Sequence, residues 1–261
     1  ANKPKAILPF HKYSTHVASP IEEHLHECAH YSSSNGISHL HFTVSETHQS
    51  LFEHIENSVK SKVEKESGVT IKTNYSYQNK STDTIAVDLN NNPFRDEMGK
   101  LVFRPGGHGA LIENLNQLDA DVVFIKNIDN VIQNQLENVV FYKKALAGIL
   151  LELQQQIFNY LNEIENAKEE DLDEIIAFAQ NNLNIEPLED FQKYTLENKI
   201  NYIKNILDRP IRVCGMVKNE GDPGGGPFWV QDSKGNVSLQ IVETSQVDLA
   251  NVIQAKILAD A

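Results

Sequence analysis

From about Asn134 to Leu207 the chain shows repeated helical spacing and no segment that alternates as a strand does. Leu136, Val140, Leu146, Leu150, Leu153, Ile157 and Leu161 fall on one helical stripe. A run with this spacing cannot lie in a sheet, because its apolar residues share a face only at the helical period, whereas a strand needs a period of two. The stripe breaks where the acidic "ENAKEEDLDE" begins, so the segment reads as a helical subdomain rather than a coiled coil. Two shorter helices follow, "EDLDEIIAFAQNNL" and "LEDFQKYTLENKINYIKNIL", separated by Pro187.

On either side of this block the pattern is different. In "SPIEEHLHECAHY", Ser19 is an N-cap candidate, Pro20 takes the first helical position and acidic residues fill the first turn, so a helix starts there. "ISHLHFTVS" alternates as a strand, and "ETHQSLFEHIENSVKSKVEKES" returns to helical spacing until Gly68 stops it. "VTIKTNYSY", "TIAVDL" and "DADVVFIKNIDN" are further strand candidates, the last an apolar run suited to a sheet covered on both faces. After Pro210, "IRVCGMV", "PFWVQD" and "VSLQIVETSQV" read as strands, and a helical tail closes the sequence. The expectation is an α/β fold with a mostly parallel sheet covered by helices. Its parts are a core segment 1–133, a helical insertion 134–208 and a β-rich return to the core over 209–261. The insertion is read as a face for a second copy of the chain or as a lid.

The formal net charge of −13 argues against polymeric nucleic acid or an anionic membrane surface as partner, since both require a positive field. A phosphate ligand would have to be neutralised locally, by a particular lysine, a helix N-terminus or a metal. Cys28 and Cys214 are the two cysteines, which fits reduced thiols in a cytoplasmic compartment better than a disulfide framework. No apolar run is long enough to span a bilayer.

Three chemistries compete for the motifs. "HECAH" matches H-E-x-x-H on a predicted helix, with His26 and His30 as zinc ligands, Glu27 as general base, and Glu53 or Glu56 as a third ligand. The alternative is a chance match in a histidine-rich, solvated helix. Dinucleotide and P-loop binding fail on spacing: after Gly107 and Gly109 the next required glycine is Ile112, and the run from Gly221 to Gly226 leads into Pro227.

The third chemistry rests on six segments in order. "KPKAILPF" with "SPIEEHL" resembles the Pro-Lys segment of sugar nucleotidyltransferases, and "HFTVSETHQSLF" the strand and turn that follow it in the uridylyl-transferring branch. "YSYQNK" is similar to that branch's strand end carrying a uracil-reading glutamine, and "RPGGHGALIENL" to its Gly-His-Gly or Gly-Asn-Gly loop. "VVFIKNIDN" resembles its strand ending in Asp-Asn, and "SLQIVETSQV" its sugar-holding strand, with Thr244 in place of tyrosine. "FRPGGHGALIENLNQLDADVVFIKNIDN" and "VCGMVKNEGDPGGGPFWV" most resemble a nucleotidyltransferase-like bacterial family of unknown function related to the uridine-diphosphate-sugar pyrophosphorylases.

The resemblance implies a Rossmann-like nucleotidyltransferase sheet and transfer of a nucleotidyl group, UTP favoured, to a sugar 1-phosphate with release of pyrophosphate and with magnesium. It implies catalytic roles for Lys5, which neutralises the triphosphate, and Asp129, which binds the metal. It places Gln78, Gly106, Gly107, His108 and Gly109 at the nucleotide, and Asn130, Gly225 and Glu243 at the sugar. The glycine-rich loop around Gly225 is read as a flap, with Trp229 as a stacking wall. In the absence of a triphosphate site the same residues would make a nucleotide-sugar-binding module without catalysis. The family's glycine-rich signature loop and first strand do not occur in the sequence, and the expectation is that it covers part of the fold.

Overall fold

A computed structural model describes residues 3–218 and 224–260. The chain divides into two compact units, 1–144 and 145–261.

The first unit opens with a one-turn 3-10 helix, Lys5–Ile7, and a short antiparallel pair, β1 (His11–Lys12) with β2 (Val17–Ala18). Helix α1 (Pro20–Tyr31) begins where the sequence places it. Ser19 caps it by accepting from the Glu22 N–H, Pro20 sits in the first turn, and Glu22 and Glu23 complement the positive end. Strands β3 (Ser33–Ser34), β4 (Ile37–Thr43) and β5 (Thr70–Ser76) form a sheet in the order β3-β4-β5. The β4–β5 pair is parallel, in register from Ile37 opposite Thr70 to Thr43 opposite Ser76. Parallel neighbours need a crossover, and α2 (Gln49–Ser67) supplies it, ending at Gly68 in the left-handed conformation that glycine adopts without a Cβ penalty. Ile21, Leu25 and Cys28 of α1, Phe42 of β4, Phe52 and Val63 of α2 and Ile71 of β5 close one core between helices and sheet.

Residues 84–104 form an exposed arm in which β6 (Thr84–Ile85) pairs with β7 (Phe103–Arg104). Only these two residues of the expected "TIAVDL" strand lie in a ladder. After it come a 3-10 turn, His108–Leu111, and α3 (Ile112–Asn116).

The segment 121–128 differs from expectation. Its burial alternates with period two, with Val122, Phe124, Lys126 and Ile128 turned inward, but it belongs to no strand ladder among the described residues. Val123 is 38% exposed and Ile125 69%, so the apolar run is not covered on both faces. Side chains of α1 hold it instead of a backbone ladder. The described residues thus give a mixed α/β unit with one parallel pair rather than a mostly parallel sheet.

The second unit packs α5 (Glu169–Leu183) and α6 (Leu196–Leu207) with residues of α4 (Leu136–Glu163) around Ile157, Leu172, Ile175, Phe191 and Ile203. Of the sequence stripe, Ile157 alone is fully buried on α4. α6 starts at Leu196, later than its periodicity suggests, because a 3-10 turn at Phe191–Lys193 intervenes and Thr195 Oγ1 caps the Asn198 N–H. A short strand, β8 (Ile185–Glu186), lies inside the block read as wholly helical. Asn184 ends α5 in the left-handed conformation, and β8 then pairs with β10 (Val237–Glu243). β10 also pairs with β9 (Gly225–Gln231), giving an antiparallel sheet in the order β8-β10-β9. The expected strand at 211–217 is not formed. α7 (Val252–Asp260) follows the hairpin. No helix among the described residues is long and apolar enough to cross a membrane.

A segment held by side chains exposes its amides to exchange. In hydrogen-exchange measurements on this chain, the amides of residues 122–128 should exchange well before those of β4 and β5; equal protection would mean that a backbone ladder holds the segment.

Candidate functional site

Lys5 and Asp129 lie 124 residues apart in sequence, yet Lys5 Nζ donates to Asp129 Oδ2 at 2.8 Å. The Lys5 ammonium holds the Asp129 carboxyl below the usual carboxylate range. Both side chains reach solvent, at 73% and 34% exposure, so a ligand can approach either. Asn130 follows in a turn closed by its N–H to the Asn127 carbonyl at 3.2 Å. Asp129 and Asn130 line a cleft of about 290 Å3 together with His11, Glu27, Lys126, Val131, Ile132 and Val139.

The cleft is fixed by buried polar groups on α1. Glu27, 2% exposed, takes both its oxygens to Lys126 Nζ, at 2.6 and 2.7 Å. His24 Nε2 donates to the Ile128 carbonyl at 3.1 Å, which fixes the proton on Nε2 because a carbonyl only accepts. Burial holds this imidazole below its ordinary pKa, so it is neutral at pH 7. Glu23, fully buried, accepts from His11 Nδ1 at 2.9 and 3.0 Å and from the Tyr13 hydroxyl. Tyr13 in turn accepts the Gln133 N–H at 3.0 Å. Burial, then the Glu23 carboxylate, pushes the Tyr13 phenol up to about 12. Phe124 meets Tyr31 edge-on at 4.7 Å. Side chains of α1 thus pin 124–128, and Tyr13, held by Glu23 of α1, pins the segment again at Gln133. Lys143 has its pKa lowered, first by burial and then by the neighbouring Lys126 charge.

A second grouping joins Gln78 to the glycine loop. Gln78 Nε2 donates to Thr82 Oγ1 at 3.0 Å, and a Cβ on Gly106 would stand 2.9 Å from the Thr82 carbonyl and 3.4 Å from Gln78 Nε2. Glycine at 106 is therefore required by packing. A Cβ on Gly107 or Gly109 would meet nothing within 4 Å, so packing places no such demand there. Asn114 Nδ2 ties α3 to the end of β5, donating to Ser76 Oγ and the Tyr77 carbonyl, both at 2.8 Å. The His108 side chain lies outside the described residues.

In the second unit, Gly225 and Glu243 are register partners across the β9–β10 pair. A Cβ on Gly225 would stand 2.9 Å from the Val242 carbonyl, so strand packing accounts for this glycine. The Glu243 side chain is exposed, as is Trp229 at 54%. Residues 220–223 of the expected flap "EGDPGGGPFW" lie outside the described residues.

The residues of "HECAH" are not brought together for hydrolysis. Glu27 is occupied by Lys126, His30 is exposed, Glu56 accepts from the Tyr75 hydroxyl and Lys60, and Glu53 accepts from Gln49. Among the described residues no three His, Cys, Asp or Glu side chains gather as a metal cluster. Magnesium needs less, since it is commonly held by one or two carboxylates together with substrate phosphates, and Asp129 can supply the carboxylate.

Sequence reading missed His11, Glu23 and Lys126. A signal for Lys126 was present: a lone lysine within "VVFIKNI" must either leave the apolar face or find a buried carboxylate.

Over residues 1–261 the chain matches the model of a domain of unknown function, DUF4301, and it belongs to that family. No curated protein and no solved structure matches it.

Two outcomes follow for stability. Because the folded pKa of His24 lies below the unfolded value near 6.5, the unfolded chain binds the extra proton. Stability is then complete above about pH 6.5 and declines as pH falls below it. Urea denaturation at pH 7 and pH 5, followed through α1 amides, should show the decline, and His24→Gln, which keeps an N–H for Ile128, should flatten it. Tyr13→Phe removes the acceptor for Gln133 N–H and a donor to Glu23, and should cost about 1–3 kcal/mol in the same experiment.

Proposed function

We infer that the protein transfers a nucleotidyl group from a nucleoside triphosphate, UTP first, to a sugar 1-phosphate, releasing pyrophosphate. The observation that carries this reading is the Lys5–Asp129 pair, whose aspartate lines the cleft. The resemblance assigns catalytic roles to these two residues from separate segments, and their contact brings both within reach of one phosphate group.

In-line transfer at phosphorus depends on positioning and on neutralising charge on the phosphoryl oxygens. The Lys5 ammonium suits the triphosphate, and its contact with Asp129 sets it beside the carboxylate. Asp129 would hold a magnesium ion whose charge offsets that of the phosphates. Gln78 beside Gly106 offers an amide to the edge of a uracil, and Gly107 and Gly109 leave the loop open to a planar base. Asn130 reads a sugar hydroxyl, and the resemblance assigns Gly225 and Glu243 the same role. The reading carries with it a Rossmann-like, mostly parallel sheet, for which the parallel β4–β5 pair is the support.

The test is a pyrophosphate-release assay pairing each nucleoside triphosphate with a panel of sugar 1-phosphates in the presence of magnesium. At least one pair should turn over, with UTP preferred. Lys5→Ala and Asp129→Asn should each lower kcat by roughly 10²-fold or more, the scale on which a preorganised charge acts in a transition state. Silence with every pair would refute the reading; thermal stabilisation by UDP-sugars without turnover would favour a binding module.

A further inference from the structure

Helix α4 is apolar over more of its surface than the described chain covers. Ile157 is its one fully buried residue, while Phe141, Tyr142, Ile149, Leu151 and Phe158 stand between 48% and 67% exposed. From Ala145 to Asn162 the only charged residue is Glu152. A helix apolar beyond its core-facing stripe is normally covered on that side too, and exposed apolar surface of this kind marks an interaction site. Gly148, in the middle of the helix, points the same way. Glycine there is destabilising relative to alanine, yet a Cβ at Gly148 would meet nothing within 4 Å, so packing within the chain does not require it. What the missing side chain does allow is close approach of a second backbone.

The charges on α4 say which backbone fits. Lys144 and Glu152 lie four residues before and four after Gly148, so the three share one face. Both side chains are exposed, and neither forms an ion pair among the described residues. A second α4, antiparallel to the first about a two-fold axis at Gly148, sets Lys144 of each copy level with Glu152 of the other. Symmetry then makes the ion pair twice. The same register sets Glu137 level with Asn159, Phe141 with Gln155 and Ala145 with Leu151, so no like charges meet. The helices overlap from Leu136 to Tyr160, along about 37 Å. A parallel pair would instead oppose lysine to lysine and glutamate to glutamate, which is repulsive.

We propose that the exposed face of α4 binds a second copy of this chain, the two helices running antiparallel with Gly148 at the two-fold axis and Lys144 paired with Glu152 on either side of it. The inference stands apart from the nucleotidyl-transfer reading, since none of the residues that reading uses lies on α4.

The test is analytical ultracentrifugation of this chain across the micromolar range, with charge-reversed variants. The wild-type chain should sediment as a monomer–dimer equilibrium. Lys144→Glu alone, or Glu152→Lys alone, gathers four like charges around the axis and should raise the dimer dissociation constant by about 10-fold or more. Mixed in equal amounts, one variant supplies two glutamates and the other two lysines, and a heterodimer should form with a constant close to the wild-type value. Gly148→Leu should weaken association while helix content, read by circular dichroism, does not fall, because leucine is the better helix former. Should either reversal not fold, Gly148→Leu decides. A wild-type monomer at every concentration would overturn the proposal. So would a dimer indifferent to all three substitutions, or reversed variants that stay apart when mixed.

Discussion

The arrangement of the first unit depends on one buried ion pair. Glu27 of α1 and Lys126 of the extended segment are too deeply placed for either to be left alone. The desolvation penalty of a single buried charge is several kcal/mol, while a bidentate pairing recovers much of it. The pair therefore does what a hydrogen-bond ladder would do for a regular strand and sets the register of 121–130 against the helix. His24 on the Ile128 carbonyl and Tyr13 on the Gln133 N–H fix the same segment further along. Asp129 and Asn130 stand at the cleft because of these contacts.

This explains why the site was partly legible in the sequence. Ser19-Pro20 with its acidic turn, Gly68 as a stop and the alternation of "ISHLHFTVS" are local signals, and α1, α2 and β4 form where they point. Lys5 and Asp129, named from separate segments, meet in space. The strand expected at 121–128 illustrates the opposite case. Its apolar run describes side chains that can be covered, not the presence of neighbours to cover them, and Val123 and Ile125 remain exposed. The short β8 was also hidden, since two residues carry no periodicity and only pairing with β10 makes them a strand.

The same distinction separates the residues found from those missed. Glycines and an Asp-Asn pair are recognisable by type and order, whereas His11, Glu23 and Lys126 acquire their character from burial and from partners distant in sequence. Glu27 is instructive: the motif cast it as a metal-assisted base, but its environment makes it the counter-ion of a lysine. Gly106 and Gly225 both look like ligand-approach positions, yet each is required by a backbone carbonyl 2.9 Å from where its Cβ would be.

The claim that α1 places the Asp129 segment through the Glu27–Lys126 pair is tested most directly by a double-mutant cycle. Lys126→Met, Glu27→Leu and the double variant would be compared by urea denaturation followed through α1 amides. Each single change should cost about 3–5 kcal/mol by stranding a buried charge, and the double variant should cost much less than their sum. Two small, additive losses would contradict the account.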